Sequence, residues 1–144
     1  MCMTFSDAEV RFLHSQPRGH LATLGPNGTP QVKPLGFVYK STLGTIDITG
    51  FNMAGSVKYR NVQANPLVAF VVDEVTEASM EGAHFLEIRG VAETTVGTHD
   101  LQGHLAPEII RIHPRRVISF NVDPDHPGLV ARDVKPGDHE DEVA

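Results

Sequence analysis

The chain has a single cysteine, Cys2, and no tryptophan. One cysteine excludes a disulfide framework and any CxxC metal or redox motif, and fits a reducing, cytoplasmic setting. Long apolar stretches are missing too. The longest, Leu67 to Val72, falls far short of the ~18 residues of a membrane span and is too short for a signal-peptide core. The opening residues, MCMTFSDAEV, have no early basic region. Neither a secreted nor a membrane protein is expected. Excess positive charge is absent: the net charge is −6, and Asp138, Glu140, Asp141 and Glu142 in the last nine residues account for most of it. A nearly neutral body sets up no field to attract nucleic acid. The nucleotide loops GxGxxG and GxxxxGK[ST] are missing, as are HExxH and GxSxG. Eight histidines are present, but His99, His104 and His113 have no metal-ligand spacing and read as surface or capping residues; no metal is expected.

What remains is a chain of 144 residues with 40% hydrophobic and 21% charged residues, the size and composition of one globular domain. The domain is expected over residues 1–135, with 136–144 as an acidic, flexible tail. Ser6 and Glu9 have capping-box spacing, so a short helix begins there and stops at Pro17. Strands follow at 20–24 and 31–39, joined by a turn containing Asn27-Gly28, and at 45–49. Residues 54–64 read as a helix halted by Asn65-Pro66. Residues 67–72 read as a strand, 73–82 as an acid-rich loop or lid, and 85–96 as a long strand with a bulge at Gly90. A short helix is expected at 105–112 after Pro107, and a last strand at 115–122. About six strands joined by hairpin-length links argue against a doubly wound parallel sheet, which needs helical crossovers. The expected fold is mainly β: a closed or nearly closed antiparallel barrel with short helices across its ends.

Two local features stand out. Capped by Gly55 or Ser56, the helix at 54–64 has Lys58 in its first turn, Arg60 just behind, and no acid. A helix N-terminus ordinarily prefers acidic side chains, so a hydroxyl and a lysine there suit a bound anion such as phosphate; a solvated lysine is the alternative. Lys58, Asn61 and Asn65 fall at 3–4 spacing on one face. The second feature is the stretch Gln31-Val32-Lys33-Pro34-Leu35-Gly36-Phe37, which lacks clean alternation. A planar ring lying against it would account for Pro34 and Gly36, and so would a bulged edge strand.

Four segments carry a family resemblance: GHLATLGPNGTPQVKPLGFVY (19–39), KYRNVQANPLVAFVVDE (58–74), FLEIRGVAET (85–94) and IIRIHPRRVISFNVD (109–123). Together they resemble the pyridoxamine 5′-phosphate oxidase-like superfamily of FMN- and F420-binding split barrels. The last segment is most similar to its actinobacterial F420-dependent branch. The resemblance implies a homodimer of antiparallel split barrels with two cofactor sites at the interface. It further implies coenzyme F420, or alternatively FMN, with the phosphate held by Ser56, Lys58, Arg60 and Asn61 and the ring against Gln31, Val32, Lys33 and Pro34. The activity implied is hydride transfer to a small electron-poor molecule, with Lys33 or His84 near the ring. The alternatives are an FMN-dependent oxidase or reductase, a non-catalytic flavin or deazaflavin carrier, or a haem protein with His84 or His126 as axial ligand. Relatives in this branch often have Trp-Gly where this chain has Phe120-Asn121. The closing Arg-containing segment of the true oxidases is also missing, which points away from vitamin B6 oxidation.

Overall fold

The computed structural model describes residues 4–97 and 106–135. The chain runs α1 (Asp7–Ser15), β1 (Arg18–Leu24), β2 (Pro30–Lys40), β3 (Thr45–Ile48), α2 (Val57–Ala64), β4 (Leu67–Val75), β5 (Ala83–Val96), β6 (Glu108–Phe120) and β7 (Leu129–Asp133). The sheet order is β3-β2-β1-β4-β5-β6-β7, and β3 also pairs with β6. Six antiparallel strands thus close into a barrel, and β7 lies outside the ring on β6. The expected mainly-β barrel is the one observed. No helix among the described residues is long and apolar enough to cross a membrane.

Inward side chains fill the barrel with β-branched and aromatic groups. Ile46, Ile48, Val72, Leu86, Ile88, Ile110 and Ile112 are fully buried, and Phe37 packs edge-on against Phe70 at 5.1 Å. Gly19 makes room for that ring, since a Cβ there would stand 2.2 Å from Phe70 Cζ. Two prolines and an open edge mark β2. Pro30–Gly36 pair only with β1, in unbroken register, while Phe37–Lys40 pair with β3. The stretch around Pro34 is therefore an edge, but it is not bulged.

Helix α1 is fixed by the capping box its sequence announces. Ser6 Oγ accepts from the Glu9 amide at 3.2 Å, and Glu9 Oε1 accepts from the Ser6 amide at 2.8 Å. Arg132 of β7 then donates to both Glu9 oxygens at 2.8 Å, tying the helix to the outer strand. Ser6→Ala should lower stability by about 1 kcal/mol. Thermal unfolding checks this, and an unchanged midpoint would show that the Arg132 pair alone holds the helix.

Three expectations are corrected. In place of the helix expected at 105–112, β6 begins at Glu108: Ile109, Ile110 and Ile112 are β-branched and all buried, which a strand accommodates better than a helix turn, and residue 105 lies outside the described residues. Strand β4 continues through Asp73, Glu74 and Val75, so the acid-rich loop is only the turn of the β4–β5 hairpin. Strand β7 was not expected at all, because it is short, mostly exposed and without alternation. The bulge falls where Gly90 predicts, between the Arg89–Arg116 and Gly90–Pro114 pairs, but the extra residue, Arg115, belongs to β6. The acidic tail at 136–144, His99, His104 and Cys2 lie outside the described residues.

Candidate cofactor-binding site

The register of β2, β1, β4 and β5 arranges the outward side chains in rows across the barrel's outer face. One row runs Pro34, His20, Val71, Glu87; the next runs Val32, Ala22, Ala69, Arg89. Two alanines in the second row leave a hollow, which Phe85 and Asp73 border. The cavity measures about 590 Å³, and Val32 stands in it 60% exposed. Val32 is thus an exposed β-branched side chain on an otherwise apolar wall.

A second groove, of about 670 Å³, runs between the Leu24–Gly28 turn and α2, lined by Arg60, Asn61 and Asn65. Gln31 joins the groove to β2. The Asn61 amide donates to Gln31 Oε1 and to Thr23 Oγ1, each at 3.0 Å, so a buried helix residue fixes a strand residue thirty positions earlier.

Ser56 caps α2. Its hydroxyl accepts from the Tyr59 amide at 3.3 Å and donates to the Met53 carbonyl at 2.7 Å. Lys58 stands in the first turn, half-buried, with no acidic partner among the described residues. Burial alone pushes its ammonium below the ordinary lysine range. Folding with Lys58 charged therefore carries a penalty at neutral pH, which fades as pH rises through the lowered folded-state value. A bound anion would remove that penalty, and the residues present fit a phosphate-bearing group. Arg60 is exposed and turns its guanidinium back to the Gly55 carbonyl at 3.4 Å.

The predicted residues thus fall into two sets. Gln31 and Asn61 are bonded to each other, and Val32 and Pro34 share the outward face. Ser56, Lys58 and Arg60 gather at the start of α2. Lys33 is exposed, but register puts it opposite the inward Leu21, away from the face of Val32. His84 Nδ1 donates to the Asn121 carbonyl at 2.8 Å, and Nε2 lies 3.3 Å from Thr76 Oγ1. His126 Nδ1 lies 3.2 Å from Asp123. No group of three potential metal ligands occurs among the described residues. Phe120, in place of the branch's tryptophan, stacks on Phe85 at 5.8 Å and 14°.

His20, Asp73, Phe85 and Glu87 were not foreseen as site residues. Their only sequence signal is alternation within their own strands; register between strands puts them in one wall.

A six-stranded antiparallel barrel with an apolar outer hollow and a basic, capped helix start at its side has the architecture of the split barrels. The sequence matches the pyridoxamine 5′-phosphate oxidase family over residues 5–124, and the chain belongs to that family, and with it to the oxidoreductases. It is 40% identical over 134 residues, 92% of this chain and 94% of the relative, to the 5a,11a-dehydrotetracycline/5a,11a-dehydrooxytetracycline reductase of Streptomyces rimosus subsp. rimosus. Among solved structures, a protein described as an F420 reductase is 28% identical with a TM-score of 0.52, over 71% of this chain and 90% of that one. A conserved hypothetical protein from Mycobacterium tuberculosis shares the fold at a TM-score of 0.64 and 22% identity, over 82% and 86% of the two chains.

Proposed function

We propose that the protein is an F420-dependent reductase that delivers hydride to a small electron-poor molecule, working as a homodimer with the cofactor between its subunits. The observation that carries this reading is Lys58, a half-buried cation at the capped start of α2 with no acidic partner among the described residues. The 40% identical relative supports a reductase, and the neighbour described as an F420 reductase favours the deazaflavin over FMN. The bound deazaflavin supplies the hydride chemistry. The chain's own task is to hold and orient. The α2 amides and Lys58 take the phosphodiester. The outward Val32 and Pro34 form the surface beneath the ring, beside Gln31, which Asn61 steadies. The apolar hollow, covered by a second subunit, excludes water from the reacting face.

Charge-assisted hydrogen bonds contribute roughly 1.5–3 kcal/mol. Lys58→Ala should therefore weaken F420 binding about 10- to 100-fold in a fluorescence-quenching titration. Stability without cofactor should hold or rise, because the substitution removes a desolvated cation from a helix N-terminus. Lys40→Ala, at the end of β2, should change neither quantity. Equal affinity in both variants would place the phosphate elsewhere. Tighter binding of FMN than of F420 would favour the flavin reading, and a monomer by light scattering at micromolar concentration would remove the dimer.

A further inference from the structure

We infer that His20 is the proton donor to the reduced substrate, a role that rests on the reading of the protein as a hydride-transferring reductase. Reduction of a conjugated carbonyl compound needs a proton as well as a hydride. The hydride, from a reduced deazaflavin, forms a C–H bond at the electron-poor carbon. The electron pair of the C=C bond shifts toward the carbonyl oxygen, and the enolate so formed takes a proton at oxygen or at the α-carbon.

Three titratable side chains border the hollow: His20 from β1, Asp73 from β4 and Glu87 from β5. Glu87 is engaged by Arg89 at 2.8 Å, and a carboxylate is ordinarily an acceptor near neutrality. His20 is exposed and makes no hydrogen bond or ion pair among the described residues, so its ring is free to donate. Imidazole is the side-chain type that exchanges a proton near neutral pH. Register places His20 directly opposite Pro34, beside the stretch of β2 beneath the ring. The charged groups sharing its face are Arg18 two residues away on β1, Asp73 on β4, and Glu87 with Arg89 on β5, while β2 offers only Val32 and Pro34. The imidazole therefore stands at the rim of the hollow with an apolar strand on one side and no basic group bonded to it.

The test compares two acceptors with the protein saturated in reduced F420. Cyclohex-2-enone needs a proton donor, whereas 2,6-dichloro-1,4-benzoquinone is reduced to an anion stable without one. His20→Gln should lower kcat on the enone about 100-fold or more. It should leave the quinone rate above background, and F420 affinity, within about twofold. His20→Lys, which keeps a donor, should recover part of the enone rate. A readout without turnover uses 4-nitrophenol, whose phenolate mimics the enolate, titrated by absorbance into the protein holding oxidised F420. Its phenolate should bind about tenfold more weakly to His20→Gln. Undiminished enone reduction by His20→Gln, or equal losses on both acceptors with unchanged phenolate binding, overturns the role of His20. Wild-type protein that reduces neither acceptor overturns the reductase reading itself.

Discussion

Arg111→Ala should lower folding stability by about 3–5 kcal/mol, the cost of breaking a buried ion pair from one side. Asp47 of β3 is 0% exposed, and Arg111 of β6 holds both of its oxygens, Nε to Oδ1 at 3.0 Å and an NH2 nitrogen to Oδ2 at 2.9 Å. Without the guanidinium, the only side-chain hydrogen bond left to the carboxylate among the described residues comes from the Thr45 hydroxyl at 3.3 Å. The pairing of β3 with β6 closes the barrel and comprises just three residue pairs, with Asp47 and Arg111 in the middle. The double variant Asp47→Leu with Arg111→Met keeps the volume and strands no charge, so it should regain most of the loss. Urea unfolding decides the matter: a loss under about 1 kcal/mol for Arg111→Ala would mean that solvent reaches Asp47 and relieves it.

The second large effect is at Gly90. A Cβ there would stand 2.3 Å from the carbonyl oxygen of His113 and 3.1 Å from its carbon. Both atoms are backbone of the paired strand, so no rotamer relieves the overlap. Gly90→Ala should cost about 3 kcal/mol, the upper end of ordinary overpacking. Gly36→Ala is the control, since nothing lies within 4 Å of its Cβ position, and it should stay within about 0.5 kcal/mol of the parent. A Gly90→Ala protein as stable as Gly36→Ala would show that the bulge at Arg115 absorbs the side chain.

Features set by neighbours in the chain were legible in the sequence. The Ser6–Glu9 box, the Asn27-Gly28 turn and the Ser56 cap all act within a few residues, and each is where the residues place it, whereas the bulge opposite Gly90 has its extra residue on β6. The start of β6 was misread because Pro107 marks a helix start and a strand entry equally well, and burial of three isoleucines decided between them. Strand β7 was illegible because its pairing with Phe120 and its neighbours, rather than its own pattern, makes it a strand. The candidate site divides along the same line. The basic helix start reads locally, whereas the hollow around Val32 gathers residues from β1, β2, β4 and β5. Their association depends on the register between strands, above all the pairing of β1 with β4, which are far apart in sequence.

The open edge of β2 bears on solubility. Among the described residues, the backbone along Pro30–Gly36 has no strand partner on its second side, the kind of template on which further chains can add and build an aggregate. Pro30 and Pro34 lack the amide donors such an addition would need, and Lys33 puts a charge between them. Residues suited to lie beneath a flat ring are thus also suited to keep copies of the barrel from growing edge to edge. Replacing those prolines to improve cofactor binding would expose the sheet to uncontrolled strand addition.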